Sequence, residues 1–323
     1  MKIAIVGYGN LGRGVEAALT AAPDMEAVGI FTRRDPASVQ SVTGLPVYAL
    51  DALESMADGI DVVINCGGSA TDLPHSTPAL AEKFHVVDSF DTHAKILSHR
   101  KTVDAAARRG GKVAVISVGW DPGMFSLTRL YAQSILPDGK SYTFWGTGVS
   151  QGHSDAVRRI PGVADARQYT VPVESAMQRV KDGEMPTLTA ADMHERVCYV
   201  AVKEGADKAA IEQAILTMPD YFAPYKTTVH FVSLEQLHRE HGGLPHGGTV
   251  IHAGHAATGS AHTIEYKLTL ESNPDFTGSI LVAFARAAYR LGQMGEVGCK
   301  TAFDIPPILL SPESPEELYS HLL

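Results

Sequence analysis

Six residues near the start of the chain, Gly7-Tyr8-Gly9-Asn10-Leu11-Gly12, constrain its fold more than any other stretch. They read Gly-x-Gly-x-x-Gly and follow a short apolar run, Ile3 to Val6, of the kind that forms a buried strand. Leu11, Val15 and Leu19 then recur four apart, one face of a helix, until Pro23 stops it. In a strand–turn–helix unit of this pattern, Gly7 makes the tight turn and Gly9 lets the backbone approach a pyrophosphate. Gly12 permits close helix packing, and the helix start offers free N–H groups and a partial positive charge. Gly7, Gly9, Asn10, Leu11 and Gly12 are therefore candidate pyrophosphate contacts of a dinucleotide-binding domain. A glycine-rich turn with no ligand is the alternative, and its position at the head of a strand–helix alternation argues against that.

The next strand, Glu26 to Phe31, ends about twenty residues past the glycines, where an NAD site places an acid on the ribose 2′-hydroxyl. Here the chain reads Thr32-Arg33-Arg34. A carboxylate would repel a 2′-phosphate, whereas two guanidiniums and a hydroxyl would bind one through charge-assisted hydrogen bonds. The competing reading is a solvated basic turn. The expected cofactor is NADP.

Strands at Leu45–Tyr48, Asp61–Cys66, Phe84–Asp88 and Lys112–Ser117 follow, with helices at Asp51–Met56, Ala70–Lys83 and Thr92–Arg109. This alternation predicts an α/β, Rossmann-type, doubly wound parallel sheet over residues 1–118. Ligands of such a sheet bind beyond the carboxyl ends of its strands. Gly67, Ser69, Ala70 and Thr71 stand at one such end and are further candidate cofactor contacts. Asp91 and Asp121 follow two others and face the nicotinamide side of the crevice. In the run Asp88-Ser89-Phe90-Asp91, the plain alternative is a pair of solvated acids.

After residue 118 the pattern changes. A helix is expected at Met124–Ile135, a strand at Ser141–Trp145, and a long loop from Gly146 to Gly162. Mixed strands and helices then predict an α+β substrate and dimerisation region over residues 119–270. Strands are placed at Arg167–Val173, Arg196–Val202, Thr227–Val232, Gly248–His252 and Thr263–Leu270, with helices at Glu174–Asp182 and Lys208–Met218. A helix at Phe276–Leu291 lies in the segment 271–323, which is expected to complete the nucleotide domain.

The formal net charge of −9 disfavours nonspecific nucleic-acid binding, so anionic ligands must be held by local arginines. Three scattered cysteines, Cys66, Cys198 and Cys299, make no Cys-x-x-Cys pair and fit a reducing compartment. Of the 14 histidines several cluster between His238 and His262, yet His238-Arg239-Glu240-His241 has neither the order nor the spacing of His-Glu-x-x-His. No metal is expected. With no signal-like or membrane-length apolar run, a cytoplasmic protein is expected.

Longer blocks carry a family resemblance. Val118 to Phe125, Tyr142 to Gly146, and above all Ser150-Gln151-Gly152-His153-Ser154-Asp155-Ala156-Val157-Arg158-Arg159-Ile160-Pro161-Gly162 resemble meso-diaminopimelate dehydrogenases. So do Val6 to Gly12, Thr217 to Phe222 and Leu244 to Gly248, and the similarity runs from Ile3 to about Ser311. The resemblance implies NADP-dependent oxidative deamination of meso-2,6-diaminopimelate at its D-centre, and a homodimer. It implies that Asp91 and Asp121 lie by the reacting amino group, and that Trp120, Trp145, Gln151, Gly152 and Asp155 position or enclose the D-centre. Thr170, Arg196, His246 and Asn273 would hold the distal L-centre. Taken singly, Arg196 reads as a strand ion pair, Thr170 as a strand former and His246 as a loop residue. The His-rich loop expected at His252–His262 and the last dozen residues match nothing in the family pattern.

The rival readings are other NADPH oxidoreductases, such as an aspartate-semialdehyde or homoserine dehydrogenase or a dihydrodipicolinate reductase, and a non-enzymatic NADP-sensing protein. The first needs a cysteine nucleophile and the second a lysine at the reacting centre. The sensor needs neither the Asp91–Asp121 pair nor a second anion-binding cluster.

Overall fold

The computed structural model describes residues 1–323, which divide into two compact units. The first comprises Met1–Leu127 with Pro274–Leu323, the second Thr128–Asn273.

The first unit contains strands β1 (Lys2–Val6), β2 (Glu26–Thr32), β3 (Val47–Ala49), β4 (Val62–Asn65), β5 (His85–Asp88) and β6 (Val113–Val115). The second contributes β7 (Lys140–Trp145), β8 (Gly148–Val149), β9 (Val163–Pro172), β10 (His194–Val202), β11 (Thr227–Phe231), β12 (His246–His255) and β13 (Ala261–Leu270). A last short strand, β14 (Gly298–Lys300), returns to the first unit. Helices α1 (Asn10–Thr20), α2 (Ala52–Ser55), α3 (Leu73–Ala81), α4 (Ile96–Gly110), α5 (Met124–Ile135) and α6 (Gln151–Arg158) lie in the first half of the sequence. They are followed by α7 (Glu174–Lys181), α8 (Ala190–Met193), α9 (Lys208–Leu216), α10 (Leu234–His241), α11 (Asn273–Gln293) and α12 (Pro315–Leu322).

The first unit is a seven-stranded parallel sheet in the order β14-β6-β5-β4-β1-β2-β3. The order reverses beside β1, between β2 and β4, which opens a crevice at the carboxyl ends of those strands. The central strands are fully buried because their side chains are apolar on both faces: Ile3, Ala4 and Ile5 of β1, Val62, Val63 and Ile64 of β4. Helix α11 belongs to this unit through small residues. A Cβ on Gly278 would lie 2.5 Å from the Gly14 backbone, and one on Gly14 would lie 2.4 Å from the Pro274 carbonyl. Glycine at both positions lets α1 and α11 cross in backbone contact. Buried Arg286 of α11 then grips Asp24 with two parallel bonds, Nε to Oδ2 at 2.7 Å and Nη2 to Oδ1 at 2.8 Å.

The second unit holds a four-stranded sheet, β11-β10-β9-β8, and a three-stranded antiparallel sheet, β13-β12-β7. In the four-stranded sheet only the β10–β11 pair is parallel. Period-two alternation puts Ala166, Gln168 and Thr170 of β9 on the same buried face as His194, Arg196, Cys198 and Val200 of β10.

Several elements differ from expectation. Gly146 to Gly162 is not one loop, because it contains β8 and the eight-residue helix α6, capped where Ser150 Oγ accepts from His153 N. Helix α3 starts at Leu73 rather than Ala70, because the turn before it closes on itself. There Asp72 N donates to the Gly68 carbonyl at 2.8 Å and Gly68 N to Asp72 Oδ2 at 3.0 Å. The stretch His252–His262 is the hairpin joining β12 and β13 rather than a loop. Its His252 is buried between Ser141 Oγ, 2.7 Å from Nδ1, and the Leu136 carbonyl, 2.9 Å from Nε2. No helix is long and apolar enough to cross a membrane.

Candidate active site

In the first unit, the turn from β1 into α1 has the geometry its glycines predict. Gly7 sits at φ +87°, a left-handed conformation that favours glycine. A Cβ on Gly12 would stand 2.5 Å from the Gly7 carbonyl oxygen, while one on Gly9 would meet nothing within 4 Å. Gly9 therefore presents bare backbone outward, and the first-turn N–H groups of Asn10, Leu11 and Gly12 have no intrahelical acceptor. A cavity of about 330 Å³ opens beside this turn, and Gly7, Arg33, Gly67, Thr71, His75 and Ser76 are among the residues that line it. His75 and Ser76 were not singled out from sequence.

The residues after β2 meet the cavity unequally. Arg33 lines it and pairs with Asp72 at 2.8 Å, but its side chain is 72% exposed, so little holds it to that partner. The Arg34 guanidinium donates to the Tyr8 carbonyl, and Arg34 N donates to Thr32 Oγ1 at 3.1 Å. Bare backbone at Gly9, free N–H groups at the α1 start and an exposed cationic side chain at the end of β2 fit a phosphorylated dinucleotide.

The loops after β4, β5 and β6 are stitched together. Ser69 Oγ accepts from Asp91 N at 2.9 Å and lies 3.4 Å from Thr92 Oγ1, which joins the β4 loop to the β5 loop. Asp88 is fully buried and so is not a solvated acid, whereas Asp91, three residues later, is exposed. Trp120 meets Phe125 edge-on at 5.4 Å, in the loop that carries Asp121.

In the second unit, Arg196 and Thr170 are cross-strand partners on β10 and β9. Both are buried, and Arg196 Nη1 donates to Thr170 Oγ1 at 2.5 Å. The guanidinium also lies 4.0 Å from the centroid of the Tyr225 ring. Its Nε is buried with no acceptor. Burial pulls the guanidinium below its ordinary pKa. His246 stands against β8, where a Cβ on Gly148 would come within 2.5 Å of its ring, and burial lowers its pKa.

Gln151, Gly152 and Asp155 all fall on α6, where Asp155 pairs with Arg158. Trp145 ends β7 and stacks on His194 at 5.2 Å. Because Trp145 N can only donate, His194 Nε2 accepts it at 2.8 Å, and Nδ1 donates to the Ala190 carbonyl at 3.1 Å. Burial pushes the His194 pKa down to about 4, in keeping with this neutral tautomer. His194 and Tyr225 are supports that sequence reasoning missed, since neither lies in a motif. Asn273 N donates to the Leu244 carbonyl at 3.0 Å.

One rival reading lacks its nucleophile. A semialdehyde dehydrogenase needs a ready thiolate, but burial pushes Cys198 up to about 12 and raises Cys66 and Cys299 as well. No group of three or more His, Cys, Asp or Glu side chains is placed to hold a metal ion.

Comparison with known proteins agrees with this geometry. A family model described as the diaminopimelic acid dehydrogenase C-terminal domain matches residues 119–272. A meso-diaminopimelate D-dehydrogenase of Acetivibrio thermocellus is 58% identical, with 100% of this chain and 98% of the relative covered. A crystal structure of a meso-diaminopimelate dehydrogenase mutant with DAP, from Clostridium tetani, superposes with a TM-score of 0.94 at 49% identity, covering 100% and 99% of the two chains. An engineered D-amino acid dehydrogenase bound to NADP+ superposes with a TM-score of 0.88 at 44% identity, over 100% and 99%. Similar to such relatives over its whole length, the chain belongs to the meso-diaminopimelate dehydrogenase family.

Proposed function

We propose that the protein catalyses the reversible, NADP-dependent oxidative deamination of meso-2,6-diaminopimelate at its D-centre, giving L-2-amino-6-oxopimelate, ammonia and NADPH. The observation that carries this reading is a nucleotide-binding unit whose neighbouring strands β5 and β6 run into loops bearing Asp91 and Asp121. Its family membership supports meso-diaminopimelate as the substrate, since its named relatives are meso-diaminopimelate D-dehydrogenases.

NADP, when bound, supplies the nicotinamide that takes hydride from Cα. Gly7, Gly9, Asn10, Leu11 and Gly12 are assigned to its pyrophosphate and Thr32, Arg33 and Arg34 to the 2′-phosphate. Gly67, Ser69, Ala70 and Thr71 are assigned to the rest of the crevice wall. The substrate ammonium must lose a proton before its lone pair can assist departure of hydride. Asp91 and Asp121 are assigned to hold that proton and to stabilise the positive charge that grows on nitrogen. Water then adds to the imine carbon and ammonia leaves. Trp120, Trp145, Gln151, Gly152 and Asp155 are assigned to enclosing the D-centre.

Arg196 and Thr170 are assigned to the distal carboxylate, with His246 and Asn273 beside them. The unpaired Arg196 Nε supports this, because a carboxylate would satisfy a buried donor that is otherwise costly. Arg196, Thr170 and His246 together favour a meso-selective enzyme over one that accepts many D-amino acids. The resemblance extends to a homodimer in the cytoplasm, and sedimentation at twice the chain mass tests the first part. The reaction itself is tested by following NADPH and ammonia together with meso-diaminopimelate as substrate. Equal yields are expected, and formation of either without the other contradicts the assignment.

A further inference from the structure

One buried acid takes no part in the reading above, yet it touches the loops of both carboxylates assigned to the reacting centre. Asp88 ends β5 with its carboxylate fully buried. Oδ1 accepts Phe90 N at 3.0 Å, one residue before Asp91, and Ser117 N at 2.9 Å, at the head of the segment that leads to Asp121. Oδ2 accepts Thr77 Oγ1 at 2.8 Å and His99 Nε2 at 2.9 Å. These four bonds use the acceptor capacity of a carboxylate. The main chain adds a fifth, from Val118 N to the Asp88 carbonyl at 3.1 Å.

Each partner is itself held. His99 stacks on Phe90 with ring centroids 4.2 Å apart. Thr77 also accepts from Asn65 Nδ2 at 3.1 Å, and Asn65 Oδ1 accepts Gly67 N at 3.3 Å in the β4 loop. Ser117 carries φ +56°, a left-handed conformation that is costly for a non-glycine residue and persists only where its surroundings impose it. The N–H of that residue is one of the two that Asp88 Oδ1 receives.

We propose that Asp88, oriented by His99 and Thr77, is a positioning residue that fixes the loop of Asp91 relative to the loop of Asp121. The proposal rests on the reading of Asp91 and Asp121 as the carboxylates at the reacting centre. One oxygen atom shared by two backbone N–H groups sets the spacing of the loops, and His99 and Thr77 prevent the carboxylate from turning away. Loss of the clamp misplaces both carboxylates without touching the nucleotide turn at Gly7–Gly12.

The test uses the full-length protein with NADP+ and meso-diaminopimelate, either unlabelled or deuterated at the D-centre. Asp88→Asn keeps an oxygen toward Phe90 and Ser117, and is expected to retain kcat within about 5-fold. Asp88→Val removes the clamp, and is expected to lower kcat about 100-fold, the scale of a misplacement near 1 Å. KM for NADP+ should stay within about 3-fold, and the deuterium isotope effect on kcat should rise as hydride transfer becomes limiting. His99→Phe keeps a ring against Phe90 while removing the bond to Oδ2, and should lower kcat roughly 10-fold with the same rise in isotope effect. The isotope effect and KM do not depend on what fraction of a preparation is folded. Should Asp88→Val fail to fold, His99→Phe decides alone. Variants that lose only thermal stability, with wild-type kcat per NADPH-binding site and a wild-type isotope effect, would overturn the proposal. Asp91→Asn and Asp121→Asn run alongside: if they stay active, the reading of the site fails. If they lose activity while Asp88→Val and His99→Phe do not, only the positioning role fails.

Discussion

Arg196 and Thr170 face each other across the β9–β10 pair, joined by a 2.5 Å bond from Nη1 to Oγ1, with Arg196 Nε buried and lacking an acceptor. A strand arginine in an ordinary ion pair would have a carboxylate at that fork. Here the paired hydroxyl holds the guanidinium without neutralising it, which is why Arg196 is assigned to the distal carboxylate.

Removing that charge should therefore cost catalysis. Arg196→Met is expected to lower kcat/KM for meso-diaminopimelate by about 100-fold or more, the 2–5 kcal/mol scale of a truncated buried charge pair. NADP+ affinity, measured by fluorescence titration, should not change. Unaltered kcat/KM would remove Arg196 from the site.

At the cofactor end, Arg33 is exposed and loosely paired with Asp72, whereas Arg34 is bound to the Tyr8 carbonyl. Replacing both by alanine should raise KM for NADP+ at least about 10-fold more than KM for NAD+, since only the first carries the 2′-phosphate. Equal changes for the two cofactors would contradict the assignment.

The nucleotide unit should have a distinct acid limit. Buried Glu16 in α1 accepts from the Tyr8 hydroxyl, from Thr43 N at 2.7 Å, and from the Ser41 and Thr43 hydroxyls at 2.5 Å each. Burial opposes its charge, but these bonds outweigh burial and bring its pKa from 4.5 down to about 2. The folded value is depressed, so the stabilisation is present above the unfolded pKa and is lost as pH falls through 4.5 toward 2. It is worth on the order of 3 kcal/mol. Denaturant unfolding of Glu16→Gln should show lower stability at neutral pH and a flatter decline over that range. A parallel decline in wild type and variant would show that Glu16 is not responsible.

His194 should remain neutral well below the ordinary histidine range. Its pKa of about 4 and its acceptance of Trp145 N require a ring protonated on Nδ1 alone. Nitrogen chemical shifts of the ring at pH 6 are expected to report that tautomer. A doubly protonated ring at that pH would break the support proposed for Trp145.

How far the sequence reveals these features depends on how local their cause is. The turn at Gly7–Gly12 is legible because its constraints, a left-handed φ at Gly7 and a close approach at Gly12, lie within six residues. The parallel sheet is legible because β1 and β4 are apolar runs that stand out between helical stretches. Helix α6 is hidden because it is only eight residues long and mostly polar, with Ser150 in the capping position as a local signal. Strand β14 is three residues long and owes its place to pairing with β6, which no local pattern records. The same holds for the site. Arg196 and Thr170 stand out only through family resemblance, because the bond that joins them spans 26 residues. At Asp88 the sequence leaves a solvated acid open as an alternative, and it is the bonds from Phe90, Thr77, His99 and Ser117, most of them from separate segments, that satisfy its buried carboxylate.

The most direct measurement is the rise in near-UV absorbance of reduced nicotinamide with NADP+ and then NAD+, against the separate meso, LL and DD isomers of diaminopimelate. The account predicts NADPH formation with the meso isomer, far weaker reaction with NAD+, and none with the LL isomer, which has no D-centre. Equal turnover of many unrelated D-amino acids would contradict the distal anchor at Arg196 and Thr170. Failure with all three isomers would contradict the reaction itself.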